Sequence, residues 1–363
     1  MILKQLNATN FRSFKDISLS LPRGLVCFYG ENAAGKSTIL ETIQFVLSGR
    51  SFRATDNDEL IQKDHKFLRA SCSFDDNRKI TAIKEQEKPS VHTNIDDKPQ
   101  KNKHLALTNP VCLVESDNFF FTKANPEKKR QYLNKNMFYV EQNYTKIMQS
   151  FKKIHTNRNS ALKSNNNDEV KVWTQQLIEI EKVITKINTE IVLLINEKLS
   201  NSTNLLEFYP KNPWLKTIHV EYLKGYNPNM TFSDVLESNL KKDLIIKRTT
   251  EGPHKRSFNI NTKDLNTGGG LSRGQQKLLS IIFHLIQREI IEDHINIVPL
   301  LLIDDISSEL DKENLNLMLK YLHNNTMQSL VTLIDPKPIT LNKSLFHVEQ
   351  NGGSSYVRKL WFR

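Results

Sequence analysis

The chain has 363 residues, with 51 Lys and Arg against 40 Asp and Glu, a formal net charge of +11. That length fits one large domain with an insertion, or two domains, and no apolar run approaches the roughly 18 residues that span a bilayer. The basic excess suits a polyanionic partner, because contacts to phosphates release counterions, although charge alone fits an unspecialised basic surface equally well.

The opening segment has no apolar core of secretory length. The three cysteines, Cys27, Cys72 and Cys112, lie far apart and form neither a disulfide framework nor a zinc pattern. A reducing, cytoplasmic setting is expected. Ile17, Leu19 and Leu21 alternate with polar residues, as in a strand with one buried face. Residues 25–29 (LVCFY) form a continuous apolar run, typical of a buried central strand. From Lys36 the pattern turns helical to about Leu47. Residues 52–110 read as polar and irregular, with strand-like pieces such as 69–74 (RASCSF).

Pro126 followed by Glu127 is a plausible helix start. Val140, Tyr144, Ile147, Phe151 and Ile154 follow a 4-3-4-3 spacing, and the turn-rich stretch 164–168 (SNNND) interrupts it. Val170, Trp173, Leu177, Ile180, Ile184, Ile187, Ile191 and Leu194 then keep a strict 3-4 spacing, a heptad seam that packs helix on helix. Two such helices joined by a polar turn predict an antiparallel hairpin; two separate helices of a bundle are the alternative. After Gly225 a mixed pattern returns. Residues 298–303 (VPLLLI) read as a buried strand, with 330–334 (LVTLI) as its neighbour.

Residues 30–37 (GENAAGKS) match GxxxxGK[ST] in full, between a buried strand and a helix. Gly30 and Gly35 let the backbone curl so that N–H groups of the loop, which also contains Glu31, Asn32, Ala33 and Ala34, point at phosphate oxygens. The helix adds its positive N-terminus. Lys36 is placed to reach the β- and γ-phosphates of ATP, Ser37 to ligate Mg²⁺, and Thr38 to add a further phosphate contact. Residues 300–305 (LLLIDD) form an apolar strand ending in acids: Asp304 is the candidate for Mg²⁺, and Asp305 the candidate general base toward water. A third element, 271–277 (LSRGQQK), follows three glycines at 268–270 and precedes a helical run. Ser272, with Gly274 and Gln275, suits a phosphate at a helix start. Since the P-loop already serves one nucleotide, this points to a γ-phosphate held by another copy; a simple N-cap serine is the alternative.

In this order the three motifs resemble the ABC-type ATPase superfamily, where the signature serine of one subunit completes the ATP site of the other. Residues 307–311 (SSELD) fall at that superfamily's D-loop, which implies that Asp311 communicates across a dimer. More narrowly, residues 10–13 (NFRS), 31–38, 48–53 (SGRSFR), 125–133 (NPEKKRQYL), 251–256 (EGPHKR), 271–277 and 302–311 resemble the RecF family of bacterial recombination mediators, which belongs with the SMC and Rad50-type ATPases. The resemblance runs nearly end to end. It implies an α/β fold: a discontinuous ABC-type P-loop ATPase head, 1–120 and 246–363, with an inserted helical arm at 121–245. It also implies that the P-loop strand and the acid-ended strand are sheet neighbours, and that Arg12 lies near the nucleotide. Such proteins bind ATP, dimerise on it and hydrolyse it slowly, a weak DNA-stimulated activity. They bind double-stranded and gapped DNA, and act with RecR and RecO type mediators to load recombinase in recombinational repair, replication and the SOS response to DNA damage. The helical arm stands in for the long coiled coils of relatives that carry a CxxC zinc hook, which this chain lacks.

There are departures. Ala33 stands where the family usually has glycine, which is tolerable if φ is negative there. Asn134 replaces a usual aspartate, residues 114–118 (VESDN) lack a usual proline, and Thr332 sits where transporters carry a switch histidine. Basic residues cluster at Lys123, Lys128, Lys129 and Arg130, at Lys152 and Lys153, and at Lys241, Lys242, Lys247 and Arg248. Each alone suits a solvated helix face; together they make a phosphate-tracking surface that follows shape and charge more than base sequence. A transporter ATPase subunit is the competing class, and the missing histidine, the basic charge and the helical insert argue against it. A DNA clamp that binds ATP without useful turnover is a third reading.

Overall fold

β1 (Leu3–Phe11) and β2 (Phe14–Ser20) pair antiparallel around a tight turn. The alternation at Ile17 and Leu19 turns one face of β2 inward, as expected. In the computed structural model, residues 1–115, 126–262, 270–325, 327–336 and 344–360 are described. The chain divides into two units, Met1–Asn118 with Ser272–Arg363, and Phe119–Leu271.

In the first unit, β3 (Leu25–Tyr29) leads into α1 (Lys36–Ser48), which Gly49 ends in the left-handed conformation. The stretch that reads as irregular is more regular than its polarity suggests. It forms β4 (Phe67–Phe74), β5 (Lys79–Glu85), β6 (Val91–Ile95), the short β7 (Lys98–Pro99), α2 (Asn102–Thr108) and β8 (Val111–Val114). The strands of this stretch up to β7 complete an antiparallel sheet in the order β2-β1-β4-β5-β6-β7. Their pattern is hard to read because charged residues face solvent while Leu68, Ala70, Cys72, Ile80 and Ala82 fill the core behind them.

The second unit holds α3 (Pro126–Val140), α4 (Tyr144–Ser164) and α5 (Asn167–Asn201), then β9 (Ile218–Leu223), α6 (Phe232–Ser238), α7 (Leu240–Ile246) and β10 (Ser257–Thr262). α4 and α5 form the expected antiparallel hairpin. Asn165, at φ 56, closes α4, and the Asn166 side chain caps α5 by accepting from the Glu169 N–H. Val170, Leu177, Ile184, Ile187 and Ile191 are buried along the seam. Val140, read as part of it, ends α3 instead. Asn134 Oδ1 accepts from the Tyr144 hydroxyl and an Arg256 N–H, both at 2.6 Å, so an amide serves where a carboxylate was the expected residue. Residues 246–271 fall in this unit, because β10 pairs antiparallel with β9.

Back in the first unit, α8 (Arg273–Ile295) packs on β8. β11 (Leu300–Ile303), α9 (Lys312–Asn324), β12 (Ser329–Leu333), β13 (Leu345–Asn351) and β14 (Ser354–Leu360) follow. The second sheet has the order β14-β13-β3-β12-β11-β8, with β13, β3, β12, β11 and β8 parallel. The P-loop strand and the acid-ended strand are therefore not neighbours: β12 lies between them, pairing with both. Ile39, Ile43, Phe45 and Val46 of α1 are fully buried in the core between the sheets.

Candidate functional site

The carboxyl ends of parallel strands offer backbone groups and loops to a crevice, and here three strand ends converge. After β3, Gly30 adopts φ 151 and Gly35 φ 108. A Cβ at Gly30 would lie 2.1 Å from the Val348 carbonyl oxygen, and one at Gly35 would meet Ser355 Oγ at 2.7 Å. Both positions thus need glycine for space as well as for φ. Ala33 corrects an expectation: its φ is 64, not negative, so an alanine occupies the left-handed region that the family's usual glycine enters freely. Ala34 is buried beneath the loop, while Glu31, Asn32 and Ala33 are exposed.

Lys36 Nζ donates to the carbonyls of Gly30 and Glu31 at 2.8 and 2.7 Å. Burial lowers its pKa, and the charges of Asp305 and Asp304 work in the opposite sense. Ser37 Oγ donates to Asp304 Oδ1 at 2.7 Å, bringing the end of β11 onto the start of α1. Thr332, in β12, spans the gap: its hydroxyl donates to the same Asp304 oxygen at 2.8 Å and accepts from the Asp305 N–H at 2.7 Å. Asp305 is held at φ 49. These residues line an open cleft of about 360 Å³ with Arg12, Ser13, Asn32, Ala33, Gly35, Thr38 and Arg53.

Arg12 reaches the cleft as a bidentate partner of Glu41, with N–O distances of 2.6 and 2.8 Å. Ser51 Oγ donates to the same carboxylate at 2.5 Å. Glu41 is fully buried on α1, and a planar fork fixes an arginine in a way a lone contact does not. Reading by motif missed Glu41; the signal was a single acid in the apolar run 39–43 (ILETI). It also missed the bridging hydroxyl of Thr332, noted only for not being histidine, and the placement of Ser13 and Arg53.

Ser272 is an exposed N-cap of α8, accepting from the Gln275 N–H, while Gln275 Oε1 accepts from the Ser272 N–H at 2.9 Å. Gly274 permits a close approach, since a Cβ there would lie 2.9 Å from the Glu309 carbonyl oxygen. Arg273 pairs with the Glu309 side chain at 3.4 Å. Asp311 caps α9 through the Asn314 N–H at 2.8 Å, and that bond is the main cause holding its pKa below 3.8. Ser272, Gly274, Gln275 and Asp311 are not among the residues lining the cleft. Of the three glycines before the signature only Gly270 is described; Gly268 and Gly269 lie outside the described residues, as do Lys123, Asn125 and Ser116, Asp117 and Asn118.

In the second unit, Lys152, Lys153, Lys241, Lys242 and Arg248 are exposed. Lys129 is not a free cation: its Nζ donates to the Phe258 carbonyl at 2.9 Å and lies 5.5 Å from that ring's centre. Lys247 is bonded to Asn165.

A strand–loop–helix P-loop, an acid-ended strand two places along the sheet and a separate signature-type helix start make this an ABC-type P-loop ATPase head in fold. The chain belongs to the RecF/RecN/SMC N-terminal domain family, which matches residues 2–355. It is 29% identical to the DNA replication and repair protein RecF of Shewanella loihica over 96% of this chain and 98% of that one. The RecF of Shewanella sp. strain MR-4 is 28% identical over the same shares. A solved structure of the recombination mediator protein RecF with ATPrS has the same fold, with a TM-score of 0.80 at 24% identity, over 99% of this chain and 98% of that one. An Smc head bound to the C-winged helix domain of ScpA has a TM-score of 0.60 at 15% identity, with the same coverage. Among the described residues no helix is long and apolar enough to cross a membrane.

Proposed function

We propose that this chain is an ATP-binding recombination mediator of DNA repair and replication, in which ATP closes a homodimer on double-stranded or gapped DNA and slow hydrolysis opens it. One observation carries the reading. The Ser37 hydroxyl and the Asp304 carboxylate already meet at 2.7 Å beside Lys36 and the glycine loop, while the exposed signature serine lies off that cleft. A hydroxyl and a carboxylate are hard oxygen donors and fit Mg²⁺, which would screen the phosphate charge when bound. Lys36 leaves two backbone carbonyls for phosphate oxygens, Thr332 orients Asp304, and Asp305 holds or deprotonates water. Ser272 and Asp311 of a second copy would close the site. The names of the relatives support the DNA repair setting, and RecR and RecO type mediators are the partners to test.

The test is sedimentation of the full chain with and without ATP and Mg²⁺, for the native protein, Lys36→Met and Ser272→Arg. A dimer that needs ATP and is lost in both variants is the expected outcome. Dimerisation of Lys36→Met with ATP would overturn the switch.

A further inference from the structure

In the second unit two histidine rings meet among basic side chains. The His155 ring on α4 lies 4.6 Å from the His254 ring, centre to centre, and stacks on Phe151 at 5.7 Å. His254 sits in the one-turn 3-10 helix Pro253–Lys255 before β10. His155 Nε2 and His254 Nδ1 are shielded from water and have no hydrogen-bond partner among the described residues. The positive charges of Lys255, Arg130 of α3 and Arg248 act on His254. Burial, followed by His155, Lys255, Arg130 and Arg248, pushes its pKa down to about 3. His155 is also lowered, by burial and then Arg158, against Asp243.

The acids on the surrounding elements already have partners, Glu251 within the cluster itself. Asp243 of α7 is fully buried and taken up by Arg158 through an ion pair and by the Thr250 N–H and hydroxyl through hydrogen bonds. Glu251 pairs with Lys255 at 3.3 Å. Glu181 of α5 accepts from the Thr185 and Tyr226 hydroxyls. Glu127 acts on Arg130 as an opposing charge, weaker than burial and Arg256. Arg248 and Lys255 are exposed, while Arg130, His155 and His254 are half-buried, so the cluster opens to solvent.

We propose that Arg130, His155, Arg248, His254 and Lys255 form a receptor for a phosphate-class oxyanion, with the nucleic-acid backbone as its source. Lys255 has Glu251 as its counter-charge, but among the described residues neither Arg130 nor Arg248 forms an ion pair, and an oxyanion supplies theirs through charge-assisted hydrogen bonds. Two neutral imidazoles beside three cations add a second property. An arriving anion offsets the cations and raises the histidine pKa values, so binding takes up a proton. The sign follows: the bound-state pKa lies above the free one, so the gain in affinity is present at low pH and is lost as pH rises through the bound-state value. The source of the phosphate rests on the DNA-binding reading above; the anion site itself does not.

The test uses the full chain, natively and as Arg248→Gln and His254→Asn, with thermal unfolding to confirm folding. Histidine proton resonances are followed while inorganic phosphate or a short duplex is added, and duplex affinity is measured against salt and pH. Expected are shifts of the two histidines with either ligand, and affinity that rises toward low pH by at most about tenfold per unit for each proton taken up. Arg248→Gln lowers the salt slope by about one, and His254→Asn flattens the pH dependence, with ATP binding unchanged. Histidine shifts with phosphate but no duplex binding would uphold the anion site and sink the DNA reading. Duplex binding with an unchanged slope and pH profile in both variants would overturn the proposal, as would histidines that respond to neither ligand.

Discussion

Ala33 shows how a single backbone angle separates what a motif permits from what it prefers. The P-loop pattern leaves this position open, yet the loop holds it at φ 64. An L-residue there is less favourable than glycine by roughly 1–2 kcal/mol, partly offset by the extra freedom of glycine in the unfolded chain. Ala33→Gly is expected to raise stability by about 0.5–1 kcal/mol, read as a higher midpoint in urea unfolding. A lower midpoint would mean that the alanine methyl makes a contact worth more than the angle costs. Thr332 teaches a related lesson. Its family position suggested only a missing histidine, but its hydroxyl, 2.8 Å from Asp304 and 2.7 Å from the Asp305 N–H, ties the two acids together. The Thr332 contacts are not visible in residue types, because they depend on where β12 lies.

At the scale of elements, the helices α4 and α5 were readable from spacing, which left a hairpin and two separate helices of a bundle both open. What periodicity could not show is the polar tie beside them. Arg158 and Asp243, both fully buried, meet at 2.9 Å, and Arg158 also reaches Thr249 and Thr174. The pair links α4 to α7 across 85 residues of sequence. Removing one charge from such a pair leaves the other desolvated and alone, a cost of about 3–5 kcal/mol. Asp243→Asn is expected to destabilise the second unit by that order and to expose it to limited proteolysis, while α1 and β3 keep their hydrogen-exchange protection. Equal loss of protection in both units would show that they unfold as one. The strands between residues 67 and 95 illustrate the converse. Arg69 and Lys79 on their exposed face dilute the alternation, so polarity hid a regular sheet.

For the molecule as a whole, the net charge of +11 becomes specific only when its members are sorted by partner. Lys129 and Lys247 are engaged within the second unit, whereas Lys152, Lys153, Lys241, Lys242 and Arg248 remain exposed. If those exposed cations track phosphates, the logarithm of duplex affinity falls linearly with the logarithm of salt, by about 0.9 per phosphate neutralised. A titration between low and physiological salt checks this, and a flat response would remove DNA from the proposed function.

The sequence by itself determined the P-loop, the acid-ended strand, the signature run and the helices α4 and α5, because each rests on local rules: glycine where a backbone must curl, apolar runs where a strand is buried on both faces, and heptad spacing where helices meet. Tertiary structure decided the rest. It set β12 between β3 and β11, brought Ser37 and Thr332 to one oxygen of Asp304 from positions 267 and 28 residues away, and buried Glu41 against Arg12. It also gathered His155 and His254 with cations from separate elements. Such meetings depend on strand order and on which acids are already engaged, and a linear pattern carries neither.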